Sequence, residues 1–97
     1  MIVTYGNRLA RVLVERGEAK TTRGFPPDLV RVARKKLAIL HAANHINDLR
    51  SPPGNRLERP QGDRRGLYSI RINDQWRVVF RFEAGNAYEV SVEDYHR

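Results

Sequence analysis

The 97-residue sequence predicts an α+β fold, an antiparallel β-sheet packed on one face by two to three helices. Three features point to it. The last third alternates apolar and polar residues at period two in three consecutive runs; the middle carries apolar residues at helical spacing behind a Pro-Pro pair; and Ile2–Tyr5 is short and β-prone. With 40% apolar residues the chain can build one core but not two, so residues 1–97 are read as a single domain.

Ile2–Tyr5 is expected to add an N-terminal strand to the sheet, ended by Gly6-Asn7. Leu9, Val12 and Leu13 then recur at helical spacing between Arg8 and Arg16, and Gly17 ends that helix. Pro26-Pro27 suits the entry of a second helix, because a proline in the first turn loses no intrahelical bond. Leu29, Ala33, Leu37 and Leu40 step around one face, with Arg31, Arg34 and Lys35 mostly off it, which predicts a helix to about Ala43. Ile46 and Leu49 suggest one further turn before Pro52. Pro52-Pro53-Gly54-Asn55 has proline and glycine where a type II turn wants them, since its second central residue needs positive φ.

The C-terminal meander follows from Tyr68, Ile70 and Ile72, then Trp76, Val78, Phe80 and Phe82, then Tyr88, Val90 and Val92. Cross-strand partners share a face, so Ile72 should pair with Trp76 through the connection Asn73-Asp74-Gln75. By the same reasoning Ala84-Gly85-Asn86 joins the second hairpin, with Phe82 near Tyr88 and Phe80 near Val90. On the opposite face Arg71 then falls beside Arg77, Arg81 beside Glu89, and Arg77 beside Glu93. That polar face is a plausible site.

Eighteen Lys+Arg against 11 Asp+Glu give a formal charge of +7, and 15 of the cations are arginine. Arginine matches phosphate oxygens bidentately and stacks on bases, so the excess favours nucleic acid over a solubility charge or an acidic protein partner. Six arginines, Arg50, Arg56, Arg59, Arg64, Arg65 and Arg71, crowd one stretch against only Glu58 and Asp63. There are no cysteines, which excludes disulfides and thiolate metal sites. No apolar run approaches the roughly 20 residues needed to span a bilayer, and the N-terminus lacks a signal-peptide core. The expected location is the cytoplasm, with no membrane partner.

Asp94-Tyr95-His96 places three groups capable of proton transfer or hydrogen bonding just past the last strand. Chain ends are often polar, so the triplet alone is weak; it gains weight because its strand runs beside the arginine face. Arg77 is the arginine best placed to stabilise charge on a phosphate, against the plainer reading of a salt-bridge ladder. His41 and His45 lie four apart on a helix, where two imidazoles could share a metal, but with no third ligand they read as helix-end histidines. Trp76 could stack on a base, though the alternation assigns it to the core. No metal or other cofactor is expected.

Three passages, Ser51-Pro52-Pro53-Gly54-Asn55-Arg56-Leu57-Glu58, Tyr68 through Arg77, and Glu93-Asp94-Tyr95-His96, closely resemble the HigB branch of the RelE/ParE toxin superfamily. The likeness covers nearly the whole chain. It implies helices against an antiparallel sheet and the activity of a ribosome-dependent mRNA endonuclease, an mRNA interferase of a type II toxin-antitoxin system. It also implies a HigA-like antitoxin, a substrate mRNA in the 30S A site of the ribosome, and contact with DNA only through the antitoxin complex. The family's catalytic pattern falls on Asp94, Tyr95, His96 and Arg77. Some relatives carry histidine where this chain has Glu58, which leaves Glu58 either a proton acceptor in its place or a structural residue only. Arg56, Arg59, Arg64, Arg65 and Arg71 are the implied RNA or ribosome contacts. The expected reaction is metal-free attack of a 2′-hydroxyl on the adjacent phosphate. Two rivals remain, a ParE-like non-enzymatic inhibitor of DNA gyrase and a simple RNA-binding module.

Overall fold

A computed structural model describes residues 1–17, 24–59 and 66–95 of the chain. Helix α1, Arg8–Glu15, begins at Asn7, whose side-chain oxygen accepts from Ala10 N at 3.0 Å. That is a standard N-cap, worth about 1 kcal/mol. The same side chain donates to Val92 O at 2.9 Å, so the cap also ties the helix to the sheet. Ala10, Val12 and Leu13 are buried, as the spacing predicts. Gly17 at φ 66° ends the helix, its N–H and that of Arg16 both donating to Val12 O. Arg34 then donates from Nε to Leu13 O, bracing the end of α1 against the next helix.

A 3₁₀ turn, Pro27–Leu29, leads into α2, Val30–Ala42. Val30, Ala33, Leu37 and Leu40 are its buried stripe, and Leu29 packs on the core from the turn before it. The further turn suggested by Ile46 and Leu49 is a 3₁₀ helix, Ile46–Arg50, which buries Leu49 completely. His45 stands at its start rather than on α2, and the Asp48 carboxylate accepts from the N–H groups of Asn44 and His45. His41, on the last turn of α2, accepts the Ile2 N–H through Nδ1.

Three strands, β1 (Leu67–Arg71), β2 (Trp76–Glu83) and β3 (Asn86–Asp94), form an antiparallel sheet in sequence order. One face meets α1 and α2: Phe80, Leu13, Leu37, Leu40, Leu49, Ile70, Val78 and Val90 are essentially inaccessible to water. Burying each such side chain contributes roughly 1.5–3 kcal/mol, which is what holds the helices to the sheet. Trp76 belongs to this side, half-buried on the core and edge-on to Phe25 with ring centroids 4.8 Å apart.

The first hairpin has the expected register, with Arg71 opposite Arg77, and with both Ile72 N and Asn73 N donating to Trp76 O. In the second hairpin the outer half is as expected, Arg77 opposite Glu93, but the half next to the turn is shifted by one residue. Glu83 pairs with Asn86, so the connection is the two-residue Ala84-Gly85 rather than three residues. Both turn residues take positive φ, 50° and 80°, the signature of a type I′ turn, whose twist suits a tight hairpin. A bulge at Glu89, φ 54°, takes up the extra residue. Tyr88 therefore leaves the core face for the polar one, where Arg81 lies 4.8 Å over its ring, and Ala87 takes the buried place.

Two further expectations are corrected. Ile2–Tyr5 runs parallel beside β3 but makes only isolated bridges, Ile2 to Ala87 and Tyr5 to Val90. The bulge turns the Glu89 N–H onto Thr4 Oγ1, interrupting the ladder. Pro52–Asn55 forms no type II turn: Pro53–Asn55 is a 3₁₀ turn, and the left-handed residue is Arg56, φ 44°, instead of Gly54. Among the described residues no helix is long and apolar enough to cross a membrane.

Asparagine tolerates the left-handed region better than alanine, so Ala84→Asn should stabilise the fold by about 0.5–1 kcal/mol. The urea midpoint measures it; an unchanged or lowered midpoint would argue against the I′ turn.

Candidate functional site

Period-two alternation leaves Ser69 and Arg71 of β1, Arg77 of β2 and Glu93 of β3 on the face away from the helices. The segment before β1 runs along the free edge of β1. Glu58 forms an antiparallel bridge with Ser69, with Glu58 N to Ser69 O at 2.9 Å and Ser69 N to Glu58 O at 2.8 Å. Arg77 reaches past Ser69 toward that segment and is only 7% exposed.

Arg77 donates from Nε to Ser69 Oγ at 2.8 Å and from Nη2 to the carbonyls of Arg56 and, at 3.3 Å, of Ser69. Glu58 Oε1 lies 3.6 Å from Nη2, and the guanidinium stands 5.8 Å from the centre of the Tyr95 ring. A guanidinium keeps its charge at any pH a protein survives. Burying one is costly unless its N–H groups are met, and here the oxygens of Ser69 and Arg56 accept from it while Glu58 lies within ion-pair range.

Arg77 opens into a cleft of about 560 Å³. Arg56 and Glu58 line it from the segment before β1, Arg71 from the end of β1, and Tyr95 from just beyond β3. Asn73, Asp74 and Gln75, the connection between β1 and β2, complete it. Asn73 Oδ1 accepts from Gln75 N at 2.9 Å and Trp76 N at 2.7 Å, which fixes the connection from within. Tyr95 N donates to Gln75 O at 2.6 Å, drawing the C-terminal segment alongside. Arg71 pairs with Asp74 at 2.7 Å, and that hydrogen bond, then the Arg71 charge, then more distant Arg56, hold the Asp74 carboxyl below the usual carboxylate range despite a small opposing desolvation. Three guanidiniums against two carboxylates give the described lining a positive balance of formal charge, which suits an anion.

Of the residues singled out in the sequence, Arg77, Tyr95, Glu58, Arg56 and Arg71 come together here. Asp94 does not line the cleft: it is the Cα partner of Trp76, so alternation sends it to the other side, where Oδ2 accepts from Gln75 Nε2 at 3.0 Å. Arg59 is exposed and lies 5.0 Å over the Tyr68 ring, also outside the lining. His96, Arg64 and Arg65 lie outside the described residues. Sequence reasoning missed Ser69, whose place next to Arg77 was implicit in the register, and it treated Asn73-Asp74-Gln75 as a connection only.

A family model described as the RelE-like toxin of type II toxin-antitoxin system HigB matches residues 9–96. Endoribonuclease HigB of Proteus vulgaris is 32% identical over 96 residues, 99% of this chain and 100% of that protein. Toxin HigB-1 of Vibrio cholerae is 43% identical over 68 residues, 70% of this chain and 72% of that one. A protein of Haemophilus influenzae called uncharacterized is 43% identical over 59 residues, 61% of this chain but only 58% of its own length.

Ser69→Ala removes the oxygen that receives the Arg77 Nε–H, and the orphaned buried donor should cost about 1–3 kcal/mol of stability, read from urea unfolding. A cost near zero would mean that Ser69 does not hold the guanidinium. A second outcome concerns Asp74. A depressed carboxyl pKa means that its attraction to Arg71 is fully present above the ordinary carboxylate range and disappears only as pH falls through the lower folded value. Carboxyl NMR titration should place the Asp74 midpoint below that range in the wild type and move it upward in Arg71→Ala; equal midpoints would contradict the pairing.

Proposed function

This chain belongs to the HigB family of RelE-like toxins of type II toxin-antitoxin systems, and from that premise we propose that it is an endoribonuclease acting on messenger RNA bound in the ribosome. The observation that carries the reading is the Arg77 guanidinium, fixed by Ser69 and the Arg56 carbonyl, with Glu58 beside it and Tyr95 facing it in an open cleft. The name of the Proteus relative, whose whole length aligns, supports it.

Cleavage of RNA without an external nucleophile needs a base, an acid and a cation at one phosphate. The 2′-oxygen bonds to phosphorus as its proton passes to the base. The bond from phosphorus to the 5′-oxygen breaks, its electron pair leaves with that oxygen, and the acid supplies the proton. A 2′,3′-cyclic phosphate and a 5′-hydroxyl result. We assign Arg77 to the charge that builds on the non-bridging oxygens. Glu58 and His96 take the two proton transfers, and Tyr95 holds the phosphate by its hydroxyl. Asp94 acts one step back by holding Gln75. Arg56 and Arg71 contact neighbouring phosphates, and Arg59, Arg64 and Arg65 are assigned to further RNA or ribosome contacts.

The cleft is open and its described lining residues are all polar or charged, so it grips a phosphate better than it selects a long RNA. Presentation of the message in the 30S A site supplies the missing alignment. Cleavage of naked RNA by the isolated protein should accordingly be poor. Membership of a type II family implies a cognate antitoxin, which we take to be HigA-like, with any contact to DNA made through that complex.

Induction in cells with mapping of transcript 5′ ends tests the proposal. Translated messages should acquire new internal ends carrying 5′-hydroxyls, while Glu58→Gln, Tyr95→Phe and His96→Ala each lower cutting by about 10²-fold or more. Intact messages together with a rising DNA-damage response would replace this reading with gyrase inhibition. Undiminished cutting in all three variants would overturn the assignment of residues.

A further inference from the structure

Lys36 and Asn55 lie outside the cleft, yet the geometry inside it depends on their contact. Asn55 is completely buried. Its Oδ1 accepts from Lys36 Nζ on α2, and its Nδ2 donates to Leu49 O and Ser51 O, both at 3.2 Å. Its backbone N–H donates to Pro52 O at 2.9 Å. A buried amide engaged on both its oxygen and its nitrogen has one orientation, and it imposes one path on the surrounding loop. The next residue, Arg56, turns through φ 44° and presents the carbonyl that receives Arg77 Nη2. Two residues later Glu58 brings its carboxylate to within 3.6 Å of the same nitrogen. A single amide thus stands between α2 and the groups that hold Arg77.

We propose that Lys36 and Asn55 are positioning residues for RNA cleavage: their hydrogen bond locks the 49–56 loop so that the Arg56 carbonyl and Glu58 keep the Arg77 guanidinium aimed into the cleft. The inference rests on the nuclease reading for its kinetic consequence but not for its structural one. Burial, then Lys35, then Arg71 push the Lys36 pKa below the ordinary lysine range, the direction expected of an amine drawn in for a hydrogen bond rather than held by opposite charge. Lys36 does not line the cleft, so its effect on the reaction passes through the loop.

Lys36→Met keeps the apolar stem and removes the donor; Lys36→Arg keeps a cationic donor. Two readouts separate this role from a general structural one. The first is hydrogen exchange at the Arg77 Nε–H, which can be followed by NMR in the isolated protein whatever its activity. The second is single-turnover cleavage of mRNA on programmed ribosomes, resolved into the rate at saturation and the half-saturating concentration. Lys36→Met should speed Arg77 Nε–H exchange by about tenfold while the amides of the β2–β3 ladder keep their protection. It should lower the saturated rate by about 10- to 100-fold, the loss expected of a small misplacement, with the half-saturating concentration unchanged. Lys36→Arg should recover most of both effects. Unchanged Arg77 exchange in Lys36→Met overturns the proposal, whether or not the protein cuts RNA. So does a loss confined to the half-saturating concentration, which would make Lys36 an RNA contact. If the wild type cuts nothing, the nuclease reading fails while the exchange result still decides whether Lys36 and Asn55 hold Arg77.

Discussion

A permanently charged guanidinium that is 7% exposed must be surrounded by oxygens, and that requirement at Arg77 organises this end of the molecule. Ser69 meets it from the neighbouring strand, and the Arg56 carbonyl meets it from a segment that runs along the outer edge of that strand. The Glu58–Ser69 bridge fixes that segment in place. These contacts fix the orientation of the guanidinium at the wall of the cleft.

The two faces of the sheet divide the labour. The helix side supplies rigidity through Phe80, Ile70, Val78 and the apolar stripes of α1 and α2. The other side supplies chemistry, and the alternation of β3 carries the division past its end: Tyr95 enters the cleft while Asp94 turns toward Gln75. A contiguous triplet in sequence thus becomes two different roles in space. Asp94 and Asn73 both brace the β1–β2 connection, and that connection is as much a wall of the cleft as the strands are.

Most of the sheet was readable from period-two patterning, because only one register keeps Ile72, Trp76 and Val78 on the apolar face. The same pattern misled at the second turn. Unbroken alternation assigns Tyr88 inward, but the hairpin closes on the two-residue Ala84-Gly85 turn and the bulge at Glu89 breaks the alternation, so Ala87 is the inward residue. The N-terminal segment has strand-like composition, but whether it joins a ladder depends on the edge it meets, and that edge carries the bulge. At the site, the residue types were apparent in Arg77, Tyr95 and Glu58, while the burial of Arg77 was not. It depends on the segment that the Glu58–Ser69 bridge brings alongside β1, and local sequence does not encode which segment pairs with which strand edge.

The central claim is the proposal that Arg77 acts as a charge of fixed orientation at the reacting phosphate. Arg77→Lys tests it most directly, since lysine keeps the charge but has no planar fork to hold it in place. Single-turnover cleavage on programmed ribosomes, with folding verified by NMR, should show the saturated rate falling by about 10²–10³-fold and the half-saturating concentration nearly constant. A folded Arg77→Lys protein that cleaves at the wild-type rate would contradict the account.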